Sequence, residues 1–245
     1  MRVLFVTGTD TGVGKTLVSS VLASALAARG LRVGVAKPVE TGCRGAGDGL
    51  VPSDAATLAA AAADPTPLAA ICPYRFADPL APALAAERAG SAVDVEGLVD
   101  ALRARAAAVD LLLVEGAGGL LVPLTRRASF AELAAALGAT VLLVVGSRLG
   151  AINHALLTLD ALRTRRLTVA GYVMNELAGH GDLAVATNEA LLRGLTTVPH
   201  LGTVPWSDTA AADLEALRGP DRARPGARQR LAALGARIDL ERLTG

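Results

Sequence analysis

Lysine is nearly absent from this 245-residue chain: of its 24 basic side chains 22 are arginine, and the two lysines are Lys15 and Lys37. Where arginine supplies every general positive charge, a retained lysine marks a place that needs a compact ammonium on a flexible stem, which a planar fork cannot replace. Both lysines stand beside glycine and threonine at the ends of apolar runs, in GTDTGVGKT and VAKPVETG. Cysteine is as scarce. Cys43 and Cys72 make neither a disulfide framework nor a metal-spaced cluster, which suits a reducing compartment and reads as two small semi-buried side chains. Neither sign of charge is in excess: the formal net charge is +1 with acids and bases interspersed, which argues against a dedicated nucleic-acid or membrane surface. Long hydrophobic runs are missing too. Stretches such as ATVLLVVG are too short to span a bilayer, and the N-terminus lacks the basic, apolar and small-residue order of a signal peptide, so a soluble cytoplasmic protein is expected.

What is present is alternation. Candidate strands occupy residues 2–7, 31–37, 110–115, 140–145 and 167–175, with candidate helices at 15–29, 54–63, 94–108, 130–137, 152–165 and 182–194. The strand runs are almost wholly apolar, as parallel strands covered on both faces must be. The order predicts a doubly wound, mostly parallel α/β sheet with helices on both faces, in one domain spanning residues 1–245, and the glycine-rich GTDTGVGKT after the first strand makes it of P-loop NTPase type. The stretch RGPDRARPGARQR, residues 218–230, is expected to be an exposed loop leading to a C-terminal segment, 231–245, with a short helix.

In such a sheet ligands gather beyond the carboxyl ends of the strands, so the residues after each apolar run carry the chemistry. Gly8 to Thr16 follows the first strand, where small residues let backbone N–H groups curl around phosphate oxygens at a helix N-terminus. Lys15 would reach the β- and γ-phosphates and the Thr16 hydroxyl would ligate Mg²⁺. Five residues lie between Gly8 and Gly14, one more than in the standard phosphate loop. Lys37 follows the second strand, and Pro38 holds the chain extended there. An exposed strand-end lysine would be the ordinary reading, but the scarcity of lysine points this one into the cleft. Asp54, taken alone, is a helix-start carboxylate facing the dipole. Glu115 closes a buried strand before Gly116, Ala117, Gly118 and Gly119, and reads either as a metal ligand opposite Thr16 or as a carboxylate satisfied by backbone N–H groups. Asn175 is a turn residue or the reader of a nucleobase edge. His154, His180 and His200 have no ligand spacing.

Taken together, GTDTGVGKT, KPVETG, Ser53–Ala55, PYRFADPLAPALAA, VEGAGGLLVPL, VGSRLGAINHALLT, AGYVMNE and VPW resemble the dethiobiotin synthetase family over residues 2 to about 207. The resemblance implies a carboxylation that uses Mg²⁺ and ATP: CO₂ adds to one amine of 7,8-diaminononanoate, ATP phosphorylates the carbamate, and the second amine expels phosphate to close a cyclic urea. It further implies that Lys15 and Lys37 face the transferring phosphoryl group and the carbamate, with Thr11 and Thr41 contacting carbamate or substrate. Thr16, Asp54 and Glu115 would hold Mg²⁺. Gly12, Val13, Gly14, Lys15, Thr16 and Leu17 would surround the phosphates together with Glu115, Gly116, Ala117 and Gly118. Asn175, Glu176, Pro205, Trp206 and Ser207 would flank the base. A homodimer is implied, in which Gly150, Ala151 and Asn153 of one subunit accept the substrate carboxylate at the other's site. Family members often carry an acidic residue where this chain has Gly12 and a serine where it has Thr41; the threonine keeps the hydroxyl.

Two other classes share parts of this pattern. A switch ATPase of the partition and cell-division type has the same sheet and loop, but its signature is a lysine five positions before the loop lysine, where this chain has Asp10. The amidating synthetases of cobalamin assembly continue into a glutamine-using domain for which this chain is too short. A pure binding module would not need Lys37 and two acidic ligands around one phosphate loop.

Overall fold

The five apolar runs become strands, and a sixth joins them. The computed structural model describes residues 2–46, 49–177, 183–218 and 225–244. Its strands are β1 (Val3–Gly8), β2 (Val33–Ala36), β3 (Val39–Thr41), β4 (Arg44–Ala46), β5 (Gly49–Val51), β6 (Tyr74–Phe76), β7 (Leu111–Gly119), β8 (Thr140–Ser147), β9 (Val169–Glu176) and β10 (His200–Val204). Its helices are α1 (Lys15–Ala28), α2 (Ser53–Ala62), α3 (Leu68–Ile71), α4 (Pro82–Arg88), α5 (Val95–Ala107), α6 (Phe130–Ala136), α7 (Ala151–Thr164), α8 (Leu183–Leu195), α9 (Asp208–Arg218), α10 (Ala227–Leu234) and α11 (Glu241–Thr244). No helix among the described residues is long and apolar enough to cross a membrane.

The main sheet runs β10-β9-β8-β1-β7-β2, with every pairing parallel. Because side chains alternate between faces, each strand feeds two cores. Leu4, Val6, Leu111 and Leu113 join α1, α2, α9 and α10 on one side, while Val3, Phe5, Leu112 and Val114 join α5, α6 and α7 on the other. Burial on both faces is why the runs read as unbroken apolar stretches; each fully buried leucine or valine contributes about 1.5–3 kcal/mol. The chain leaves β1 for the edge strand β2, returns to β7, then crosses to β8 on the other side of β1. That reversal of winding opens a crevice at the carboxyl ends of β1, β7 and β2.

Several boundaries differ from the expectation. β2 and β9 begin two residues later than the candidate strands, at Val33 and Val169, whereas β7 continues through Gly119 because its glycines keep pairing beside β1, with Gly8 against Gly119. β10 lacked an apolar run because it is only half-covered, with His200, Gly202 and Thr203 partly exposed; at Gly202 (φ 139) a Cβ would meet the Arg237 carbonyl oxygen at 1.9 Å. The expected loop over 218–230 is shorter: Arg218 closes α9, residues 219–224 lie outside the described residues, and Ala227 already begins α10. That helix escapes notice because its buried stripe, Ala227 and Leu231, is thin amid arginines. His180 and the start of the helix expected at 182–194 lie outside the described residues.

Candidate active site

Strand register assembles the site. Val6 pairs with Glu115, and Ala36 pairs with Val114, so Lys37, one step beyond β2, arrives beside Glu115. The Lys37 Nζ donates to Glu115 Oε1 at 2.6 Å and to the Gly116 carbonyl at 3.2 Å, and lies 3.3 Å from Asp54 Oδ2. The Thr16 hydroxyl, from the first turn of α1, donates to the same Glu115 Oε1 at 2.9 Å. Glu115 is 0 % exposed and Lys37 3 %, so neither charge is stable there without the other. Burial works against the Lys37 charge, but the carboxylates of Glu115 and then Asp54 outweigh it and hold the pKa above the usual lysine range. Burial likewise opposes ionisation of Asp54, yet Lys37 and, more weakly, Arg218 keep it below the usual carboxylate range.

The phosphate loop is shaped by backbone and braced from β9. Gly12 (φ 75) and Gly14 (φ 89) both adopt left-handed conformations. A Cβ on Gly14 would lie 2.1 Å from Asn175 Nδ2, which donates to the Val13 carbonyl at 3.0 Å. Val13 turns its side chain into the core, and Gly14 caps α1 without any side-chain hydrogen bond, leaving the first N–H groups of the helix to an anion. The Lys15 ammonium rests on the Asp10 carbonyl at 2.9 Å. Burial, then the nearby Lys37 charge, lowers its pKa to about 8. The Asp10 carboxylate is itself held by Arg148 at 2.9 Å.

These groups open on a cavity of about 620 Å³ lined by Thr11, Gly12, Gly14, Lys15, Thr16, Leu17, Lys37, Thr41, Asp54, Ala117 and Gly118 among the expected residues. Glu115 and Gly116 lie behind it, reached through Lys37. Asn175 is 3 % exposed and braces the loop, a role its position at a strand end did not disclose; its Oδ1 has no partner among the described residues. Glu176 accepts from the Trp206 N–H at 3.3 Å, joining the end of β9 to the Pro205–Ser207 connection before α9. Gly150, Ala151 and Asn153 form the start of α7 and do not line the cavity.

Two contributors were not expected. Glu40 takes the Asp54 and Ala55 N–H groups, each at 3.0 Å, fixing the start of α2 and with it Asp54. It lies inside KPVETG, but nothing local says which helix it caps. Arg218, from α9, lies 3.7 Å from Asp54 Oδ1 and lines the cavity.

The donor set fits a hard divalent cation. Thr16, Asp54 and Glu115 supply oxygen, and the buried Glu115 Oε2 has no hydrogen-bond partner among the described residues. Two carboxylates and a hydroxyl match Mg²⁺, which keeps several waters and shares its coordination with substrate phosphates.

A glycine-rich loop ending in Lys-Thr at the start of a helix, after the central strand of a parallel sheet, defines a P-loop nucleotide-binding protein. Residues 2–213 match the AAA domain family. The septum site-determining protein MinD of Pyrococcus horikoshii superposes with a TM-score of 0.62 at 17% identity, covering 95% of this chain and 93% of that one. A ParA family ATPase from Chlorobium tepidum gives 0.59 at 13%, covering 99% and 98%. These share the fold. In sequence the chain is 48% identical to the ATP-dependent dethiobiotin synthetase of Anaeromyxobacter dehalogenans (strain 2CP-C) over 217 residues, 89% of this chain and 96% of the relative. It is 43% identical to that of Aeromonas hydrophila over 87% of this chain and 95% of the relative. The chain belongs to the ATP-dependent dethiobiotin synthetase family.

Proposed function

We propose that this chain is a cyclo-ligase that forms dethiobiotin from 7,8-diaminononanoate, CO₂ and ATP, acting in the cytoplasm as a homodimer. The observation that carries the reading is the convergence of both lysines of the chain, Thr16, Asp54 and Glu115 on one phosphate-loop cavity. One amine of the substrate adds to CO₂ and loses a proton, giving a carbamate. A carbamate oxygen then takes the γ-phosphoryl group of ATP, releasing ADP. The second amine attacks the carbonyl carbon of this mixed anhydride, and phosphate leaves as the urea ring closes.

Phosphoryl transfer needs alignment and charge neutralisation more than covalent help, and the site is built for that. Lys15 and Lys37 approach the transferring group from opposite walls, while the loop backbone and the Gly116–Gly118 segment surround the phosphates. Thr16, Asp54 and Glu115 would hold Mg²⁺, which neutralises phosphate charge when bound. Thr11 and Thr41 offer hydroxyls to the carbamate or the diamine. Asn175, Glu176 and Pro205–Ser207 flank the base, and Gly150, Ala151 and Asn153 serve the carboxylate of the substrate in the partner's site.

The switch-ATPase reading draws only on the shared fold. It would need a cation at position 10, and Asp10 is ion-paired to Arg148. The deciding experiment mixes protein, Mg-ATP, bicarbonate and diamine and follows phosphate together with the cyclic urea. Diamine-dependent phosphate release matched by urea is expected; phosphate release indifferent to the diamine would transfer the case to the switch ATPases.

A further inference from the structure

Helix α9 begins inside the family match but ends beyond it, and its last turn reaches the cavity. Leu214 and Arg218, four residues apart and so on one face, both line the cavity wall beside Leu17 of α1. Arg218 lies 3.7 Å from Asp54 Oδ1 and 3.1 Å from Glu215 Oε2. It is a third cation of the site, and less committed than Lys37. Lys37 is locked between Glu115 and Asp54, whereas the Arg218 side chain is 38% exposed and its other partner, Glu215, is 72% exposed. A guanidinium presents paired N–H donors that match two phosphate oxygens, a fit that neither the Asp54 carboxylate at 3.7 Å nor the exposed Glu215 carboxylate at 3.1 Å uses up.

Asp54 joins the two cations. Its two oxygens are shared between Lys37 and Arg218, and both are the kind of ligand a divalent cation would draw away. We propose that Arg218 is a nucleotide-binding residue: it is parked on Asp54 in the free protein and pairs with the phosphate chain of the nucleotide once Asp54 is taken by the metal. This rests on the nucleotide-binding reading of the cavity and extends it to α9, so that the segment after residue 207 closes one wall of the site.

Calorimetric titration of Mg-ADP and Mg-ATP into wild type, Arg218→Ala, Arg218→Lys and Glu215→Ala tests it. Arg218→Ala should weaken both nucleotides about tenfold, the usual order for one lost charge-assisted phosphate contact, and Arg218→Lys should fall in between. Glu215→Ala, which removes only the exposed competitor, should bind as tightly as wild type or tighter. In turnover, the KM for ATP should rise with the loss of affinity while kcat stays within about twofold and the KM for the diamine does not move. Circular dichroism and an unchanged melting temperature keep a folding defect apart from a binding one. Full nucleotide affinity in a folded Arg218→Ala protein would overturn the proposal, as would a loss confined to the diamine. A wild-type protein that bound no nucleotide would sink the underlying reading instead.

Discussion

At Lys37 an ammonium buried to 3% exposure balances a carboxylate buried completely, so one substitution has two separable consequences. Lys37→Ala is expected to lower turnover roughly a hundred- to a thousand-fold, the usual effect of removing one preorganised donor from developing charge. It should also destabilise the fold by about 3–5 kcal/mol, because the buried Glu115 loses its counter-charge. Adding Glu115→Gln should recover part of that stability but none of the activity, which denaturant titration and turnover measure separately. Lys15 behaves differently. Its pKa of about 8 means that the free site loses this charge as pH rises through 8, while a bound phosphate restores it. Nucleotide binding above pH 8 should therefore take up a proton and weaken by up to about tenfold per pH unit, visible as buffer-dependent heats of binding. The free protein should show the opposite trend in stability: between about 8 and the ordinary 10.5 the unfolded chain holds the proton that the folded one has released, so stability rises with pH. Arginine should fail at position 15, where a Cβ on Gly8 would already come within 3.1 Å of the ammonium, and turnover of Lys15→Arg should fall at least about a hundredfold.

At the scale of elements, the phosphate loop is held by a strand that never meets it in sequence. Asn175, on β9, pins the Val13 carbonyl and fills the space that a Gly14 Cβ would need. Gly14→Ala, strained at φ 89 and blocked at 2.1 Å, is expected to cost about 1–3 kcal/mol and most of the nucleotide affinity. Asn175→Ala discriminates between a base reader and a loop brace. A brace should weaken ATP and GTP alike and lower the melting temperature, whereas a base reader would affect ATP alone. The same element shows why sequence reached only part of the site. Lys15, Thr16, Lys37 and Glu115 were legible because each ends or follows a buried strand, where parallel topology collects ligands. Glu40, Arg218 and the bracing role of Asn175 were not, since each depends on which distant backbone or carboxylate the fold brings near. The edge strand β10 and the arginine-rich α10 stayed hidden because a half-covered element carries too few apolar residues to show a period.

At the scale of the whole molecule, the proposed seat of the substrate carboxylate is the start of α7 in a second copy. Gly150 caps α7 in a left-handed conformation with no side-chain bond, the Ala151 N–H donates back to the Arg148 carbonyl, and the start of this 14-residue helix does not line the cavity of the same chain. Leu149 beside it is 83% exposed, and Leu157 on the same helix 62%. If Gly150, Ala151 and Asn153 complete the site of a partner, two defective chains should complement each other. Asn153→Glu adds a carboxylate near a helix N-terminus, where the fold tolerates it but a substrate carboxylate is repelled. Mixed and re-equilibrated in equal amounts with Lys37→Ala, half the dimers would be hybrid and each hybrid would have one intact site of two, giving roughly a quarter of wild-type activity. Sites built within one chain would give none, since every chain in the mixture carries a lesion. Light scattering on the same samples tests for a dimer, and the recovered urea-forming activity decides whether two copies share their active sites.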